Sequence, residues 1–492
     1  MKFSDLIKVV DISELKLNED FVVNNVSCNS KEVNANDVFV CIKGFKTDGH
    51  LFINDAINNG AKAVIVDNFY DTHMLPENIN YVKTSNTRKA LAKLSAHLYN
   101  YPSKEMIVIG VTGTNGKTST TYMIKSILEH KGIKTGLIGT IKNMIGYKVI
   151  PTERTTPESN DLQKLFYQMK QEDVKAVVME VSSHSLELSR VDETDFDVGV
   201  FTNLTQDHLD FHQNMDNYFN AKLKLFKKSK KSVINIDDEW GKKIIENKNI
   251  GDILCYSIND SSDVIAKNIK IFVDKSTFDI EYNGEVINII LNIPGYFSIY
   301  NALAAATTAI HLGIDLETIK NGLNKIKGIS GRFEIVESNP KFTIVVDYAH
   351  TPDGIENLMR TVKTVAKGRK VLLFGCGGDR DRTKRPIMGE IAGNMADYVI
   401  VTSDNPRCED PQKIIDDIIE GIRKTNVDYI VIPDRYEAIK YAIMNAKPND
   451  FIVLAGKGHE DYQIIMNEKI HFDEREVVAK ILEEIKNETN II

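Results

Sequence analysis

The chain has 492 residues, a formal net charge of −8, and a globular balance of 42% hydrophobic and 26% charged residues. That length suggests about three domains, and the acidic balance excludes a broad nucleic-acid-binding surface. No window approaches the roughly 18 uninterrupted apolar residues of a membrane span, and five cysteines without CxxC spacing fit free thiols in a reducing, cytoplasmic setting better than a disulfide framework.

In chain order, short apolar strands alternate with amphipathic helices, which argues an α/β fold with mainly parallel sheets. The opening MKFSDLIKVVDISELKL carries acids and lacks a long apolar core, so it does not read as a signal peptide. Residues 1–103 contain VFVCIKG, AKAVIVD and the helical RKALAKLSAHLYN. That helix should stop before Pro102, because a proline disfavours helical backbone at the residue preceding it. This is a small N-terminal α/β domain.

Residues 104–332 form a central domain with strands in MIVIG, KTGLIGT, KAVVMEV, DVGVFTN and KSVINID. Residues 263–293 alternate and contain Asn283-Gly284, which predicts antiparallel strands joined by a hairpin. A helix through NALAAATTAIHLG follows. The basic run Lys227, Lys228, Lys230 and Lys231 reads as the solvated end of a helix. Residues 333–492 form a C-terminal domain with strands FTIVVD, KVLLFG, YVIVTS, YIVIP and FIVLAG. Each of these runs into polar or glycine-rich residues. Ligands of parallel sheets sit beyond the carboxyl ends of strands, so Asp347, Arg380, Asp404 and Gly456 lie on the edge where a site belongs.

The strongest motif is IVIGVTGTNGKTSTTYM, residues 107–123. A buried strand enters a glycine-rich loop, then Lys117, Thr118 and a helix. Glycines let the backbone wrap a phosphate, and free N–H groups at the helix start point at it. Lys117 would reach the β- and γ-phosphates, and the Thr118 hydroxyl would hold Mg²⁺. The generic pattern has glycine where this chain has Val111; here the glycines fall at 110, 113 and 116. Glu180 ends the strand of VVMEV and is a hard oxygen ligand suited to Mg²⁺. Asp207 and His208 follow the next strand; His208 is a softer donor for a second ion, and His184 and His212 read as hydrogen-bonding or surface residues. On local sequence Lys222, in NAKLKLF, reads as a helix-surface lysine.

GTNGKTS, MEVSSH, NLTQDHLDFH, GYFSIYNALAA, GRFE, DYAHTPDG, CGGDRDRTKRP, DNPR and GKGHEDYQ occur in this order across nearly the whole chain. Together they resemble the Mur ligases of peptidoglycan synthesis. The resemblance implies three domains: a UDP-binding N-terminal domain, a P-loop ATPase-like central domain and a Rossmann-like C-terminal domain. It implies that ATP phosphorylates the D-glutamate carboxylate of UDP-N-acetylmuramoyl-L-alanyl-D-glutamate, and that an amino acid's amine attacks the acyl phosphate. The implied partners are these small molecules, with the protein acting as a monomer.

The residues the resemblance implies are specific. Gly113, Thr114, Asn115, Gly116, Lys117, Thr118, Ser119, Asn301, Arg332 and Asp347 would bind ATP. Lys117, Glu180, His208 and Lys222 would serve catalysis. Thr118, Glu180, His208 and Lys222 would hold the metal, with Lys222 carbamylated by carbon dioxide. Ser30, Phe45, Lys46 and Thr47 would contact UDP; Thr155, Thr156, Ser182 and Arg190 would contact the muramoyl peptide. Leu188 and Arg154 depart from the family's glutamine and asparagine.

In the family the chain resembles, the added amino acid is usually lysine or meso-diaminopimelate, which differ by one distal carboxylate. An arginine fork binds a carboxylate through two parallel hydrogen bonds. In the family, Asp404-Asn405-Pro406-Arg407 goes with diaminopimelate, and Arg380, Gly456 and Glu460 match the rest of that pocket. Arg407 is therefore the expected selector. The rival readings are the lysine-adding ligase, the D-Ala-D-Ala-adding ligase, a folylpolyglutamate synthetase and, in another class, a nucleotide-switched binding protein without catalysis.

Overall fold

The computed structural model describes residues 1–489 except 46, 153, 337–340 and 467. Three sheets succeed one another along the chain. The first has five strands in the order Glu14–Lys16, Asn80–Thr84, Ala61–Asp67, Asp37–Val40 and Val26–Ser27. Only Glu14–Lys16 runs antiparallel to its neighbour. The helix Thr87–Leu98 covers this sheet and ends four residues ahead of Pro102.

The second sheet has eleven strands. Its parallel centre runs Val264–Ile271, Asp252–Ser257, Ser229–Asn235, Phe196–Phe201, Ile107–Thr112, Ala176–Glu180 and Thr135–Ile138. Ile107–Thr112 is the first of these in the chain yet lies between later strands, so the loop after it opens at a topological switch point, where such sheets bind ligands. Antiparallel strands close both edges. Ser276–Tyr282 and Glu285–Leu291 pair through Tyr282 and Glu285 around Asn283-Gly284, as the alternating pattern predicts.

The third sheet orders Glu334–Val336, Thr343–Asp347, Phe451–Ala455, Lys370–Phe374, Tyr398–Val401 and Asp428–Val431, all parallel except the first. A separate ribbon, Tyr462–Ile465 with Glu468–His471, was not legible as strand. One apolar core runs from Ile109 and Ile124 through Ile329 and Phe333 to Val345, Phe374 and Ile415, so the second and third sheets share packing. Among the described residues no helix is long and apolar enough to cross a membrane.

Two local expectations need correction. Lys227 and Lys228 do end the helix Met215–Lys228, but Lys230 and Lys231 sit on the strand Ser229–Asn235. Lys230 pairs with Asp197 and Lys231 donates to the His311 carbonyl, so charge pairing lets that strand start in a basic run. Lys222 is not a surface lysine: it is buried, because the helix turns that face onto the phosphate loop and its Nζ donates to the Gly113 carbonyl at 2.8 Å.

Candidate active site

A cavity of about 570 Å³ opens where the carboxyl ends of the second and third sheets face each other. All ten residues expected to bind ATP line it: Gly113 to Ser119, Asn301, Arg332 and Asp347. The loop follows the strand Ile107–Thr112, and Lys117 begins the helix Lys117–His130. Val111 is buried within that strand, so the absent glycine falls where no wrapping is needed. Gly116 has φ +86°, and a Cβ there would lie 2.3 Å from Asn301 Oδ1; only glycine fits that approach.

Lys117 Nζ folds back onto the loop, donating to the Gly113 and Thr114 carbonyls at 2.9 and 2.8 Å. Burial lowers its pKa, while Glu180 and Asp207 pull the other way. Glu180 is buried at its strand end. Its Oε1 accepts the Thr140 N–H at 2.8 Å and its Oε2 the Thr140 hydroxyl at 3.0 Å. Arg332 donates to Thr118 Oγ1 at 3.2 Å and lies over the Tyr348 ring at 4.6 Å, so it links the loop to the third sheet.

His208 has left-handed backbone (φ +54°), with Nε2 3.3 Å from Asp207 Oδ2. Burial pushes its pKa down to about 3 against the pull of Asp207. Its ring meets His184 edge-on at 4.9 Å, and His184 stacks on Phe211. His212 is buried and shares a hydrogen bond with Ser183 Oγ at 2.9 Å, the bonding role its sequence suggests. Lys222 lies 4.6 Å from the Tyr218 ring, and burial holds its pKa well below the ordinary lysine value, with Lys117 adding repulsion.

The residues fit a magnesium ion. Glu180 and Thr118 offer hard oxygens on one cavity, and among the described residues no group of three or more histidine, cysteine or acidic side chains forms a dedicated metal cage. Magnesium characteristically takes one or two carboxylates and completes its shell with phosphates and water.

The residues expected to contact the muramoyl peptide and UDP divide. Thr155 and Ser182 line the cavity, and Thr155 shares a hydrogen bond with Thr140. Thr156 and Arg190 sit behind them. Thr156 Oγ1 donates to the Glu180 carbonyl, and Arg190 holds the Thr156 carbonyl at 3.2 Å and Glu158 at 2.8 Å. Arg154, the departure from the family, pairs with the same Glu158. Ser30, Phe45 and Thr47 belong to the first unit and lie outside this cavity; Phe45 is 75% exposed and edge-on to Phe211. Lys46 is outside the described residues.

At the opposite wall stand Arg380, Asp404, Asn405, Arg407, Gly456 and Glu460. Pro406 is buried behind them and does not line the cavity. Asn405 is bonded on both sides of its amide: Oδ1 accepts from Lys457 Nζ and the Ile464 N–H, and Nδ2 donates to Glu460 Oε2 at 2.8 Å. Burial and the nearby Asp404 raise the Glu460 pKa. Arg407 has φ +50°, a strained value for a side-chain-bearing residue, held by its N–H to the Ile464 carbonyl and its carbonyl to the Met466 N–H. Its guanidinium donates to the Gly378 carbonyl at 2.8 Å and faces Asp404 and Glu460. Gly456 has φ +114°, and a Cβ there would press within 2.6 Å of Asp404 Oδ2.

Several lining residues escaped the sequence reading. Lys384 begins the helix Lys384–Met395 and lies 3.6 Å from Asp207 across the seam. Asp353 accepts from Asn115 at 2.8 Å across the same seam. Tyr348 and His350 follow the strand Thr343–Asp347. All stood inside quoted motifs, but Lys384, Asp353 and Tyr348 meet partners in another unit that the local sequence does not show.

Models of the Mur ligase family match the chain in three consecutive stretches. The family's catalytic domain covers residues 22–99, the middle domain 111–309 and the glutamate ligase domain 331–458. A relative from Caldanaerobacter subterraneus subsp. tengcongensis, named UDP-N-acetylmuramoyl-L-alanyl-D-glutamate--2,6-diaminopimelate ligase, is 52% identical over 485 residues, 98% of this chain and 99% of its own. One of the same name from Clostridium tetani is 47% identical, covering 99% of this chain and 100% of its own. A solved structure of an enzyme so named has a TM-score of 0.66 and 29% identity, covering 99% of both chains. Similarity that runs unbroken through all three sheets and both walls of the cavity has one consequence: this chain belongs to the Mur ligase family.

Proposed function

We propose that this chain is the ATP-dependent ligase that joins meso-diaminopimelate to the D-glutamate of UDP-N-acetylmuramoyl-L-alanyl-D-glutamate in peptidoglycan synthesis. Relatives at 52% and 47% identity carry that activity in their names. The observation that carries the reading within this chain is that Arg407 and Glu460 share one cavity with the phosphate loop. A zwitterionic head needs a cation for its carboxylate and an anion for its ammonium, and these two residues supply both. The units 1–103, 104–332 and 333–492 would respectively hold the UDP moiety, ATP and the amino acid.

A carboxylate is a poor acceptor because oxide is a poor leaving group; phosphorylation supplies a good one. Both reactants are anionic, so the site must offset their repulsion. Lys117 does so by moving from the loop carbonyls to the β- and γ-phosphates, with Arg332 alongside. Glu180 and Thr118 would hold magnesium, which neutralises phosphate charge when bound. Lys222 would be carbamylated, a reading supported by its buried amine having one acceptor in Gly113 O, and the carbamate with His208 would hold a second ion. A site that consumes ATP and a UDP-linked intermediate belongs in the cytoplasm, which holds both.

The test is ADP release run in parallel with diaminopimelate and with lysine. Lysine leaves Arg407 without its carboxylate, a loss of about 2–5 kcal/mol for a buried charge contact. Diaminopimelate should therefore be strongly preferred; equal use of the two would defeat the assignment.

A further inference from the structure

The residues described so far bind, charge and orient the reactants, but none of them takes a proton from the attacking amine. His350 stands apart from them. It lies just beyond the strand Thr343–Asp347 and lines the cavity. Its Nδ1 is 2.8 Å from the Tyr348 carbonyl oxygen. A carbonyl can only accept, so Nδ1 carries the hydrogen and Nε2 keeps the lone pair. Among the described residues nothing hydrogen-bonds Nε2.

The segment 347–350 runs along the seam between the two walls. Arg332, stacked on Tyr348, reaches the phosphate loop at Thr118. Tyr348 feels Glu460 and Asp404 of the opposite wall. The charged and titratable groups facing His350 are Lys384 from its helix, Asp207 from the central loop and Arg332. Tyr348 and His459 lie close by. Burial and Lys384 push the His350 pKa down to about 4, so the ring is neutral near pH 7 and free to accept.

We propose that His350 Nε2 accepts the proton released by the incoming amine as the amide bond forms. The inference rests on the ligase reading above. The ammonium loses one proton to water on entry. Its nitrogen lone pair then forms the C–N bond, and phosphate departs with the electron pair of the C–O bond. The nitrogen's surplus proton passes to Nε2, giving an imidazolium whose Nδ1–H stays on the Tyr348 carbonyl. Solvent removes that proton after release. An anionic acyl phosphate formed in the same cavity would favour its protonated form.

The test uses the full chain with ATP, the UDP-linked dipeptide and either diaminopimelate or hydroxylamine. Hydroxylamine is a much weaker base than an alkyl amine and sheds its proton to water unaided. His350→Gln should lower kcat with diaminopimelate by about 10²–10⁴-fold and leave its KM within about threefold. Hydroxamate formation should stay within about threefold of the unsubstituted protein, which a merely structural role for His350 does not predict. Should the glutamine variant fail to fold, His350→Ala with added imidazole replaces it, and about tenfold or greater recovery of turnover is expected. Undiminished diaminopimelate turnover, a parallel loss with hydroxylamine, or no imidazole recovery would overturn the role of His350. If the unsubstituted protein itself releases no ADP with diaminopimelate, the ligase reading fails instead.

Discussion

The two walls of the cavity are built by opposite means. The phosphate wall is one continuous stretch, Gly113 to Ser119, whose cation is parked on backbone carbonyls of its own loop. The amino-acid wall is assembled from three separate segments, after Phe374, Val401 and Ala455, and Asn405, Lys457 and Glu460 hold one another across them. A loop that cradles phosphate must move its lysine when the ligand arrives, so weak local bonds suit it. A pocket that is to discriminate carboxylates should be rigid beforehand, and the Asn405 amide and the Glu460 carboxylate are already bonded to one another. The phosphate wall should therefore fail in rate, and the amino-acid wall in affinity or stability.

The largest expected effect tests the first half of that statement. Lys117→Met removes the cation at the developing phosphoryl charge and should lower kcat for ADP release by about 10³-fold while leaving the unfolding midpoint almost unchanged. A loss confined to the ATP KM would mean that Lys117 only binds, and the contrast between the walls would fail.

The second effect lies behind the amino-acid wall. Arg435 and Glu474 are both buried and paired at 2.8 Å. Arg435 also donates to the carbonyls of Ser403 and Ala455, the residues just before Asp404 and Gly456. Glu474→Ala would strand a buried guanidinium and should cost about 3–5 kcal/mol in urea unfolding. Diaminopimelate KM should rise with it, while ATP KM stays level. An unaltered diaminopimelate KM would show that the turns stand without this brace.

The same contrast explains what could be read from residues alone. Contiguous chemistry was legible: the phosphate loop, Glu180 at its strand end, and the Asn283-Gly284 hairpin each announce themselves within about ten residues. Chemistry shared between distant segments was not. Lys222 looks like a surface lysine because nothing in NAKLKLF shows that the Gly113 loop lies over it. Lys384 opens a helix, where a cation opposes the helix dipole, and only Asp207 in another unit accounts for it. The ribbon of Tyr462–Ile465 and Glu468–His471 is short and largely exposed, with too little apolar pattern to mark it as strand. Yet this ribbon fixes the Arg407 backbone through Ile464 and Met466.

A third, smaller effect isolates that arginine. Arg407→Ala should raise the diaminopimelate KM about 30- to 300-fold, within the range for losing one partner of a buried charge contact, and leave ATP KM within about threefold. The preference over lysine should collapse in the same variant, because the discriminating carboxylate has lost its fork. Retained preference would move selection to Arg380, the other guanidinium on that wall.

The smallest effect is a control on both walls. Gly284 has φ +81° at the tip of the hairpin closing the far edge of the second sheet, and a Cβ there would meet nothing within 4 Å. Gly284→Ala therefore adds backbone strain without a clash, costing about 1 kcal/mol, and should slightly lower the unfolding midpoint. Neither wall shares a loop with this turn, so kcat and both KM values should be unchanged. If they moved, the antiparallel edge would be coupled through the sheet to the loop after Ile107–Thr112. The rate and affinity effects assigned above to separate walls would then have to be read as responses of one mechanical unit.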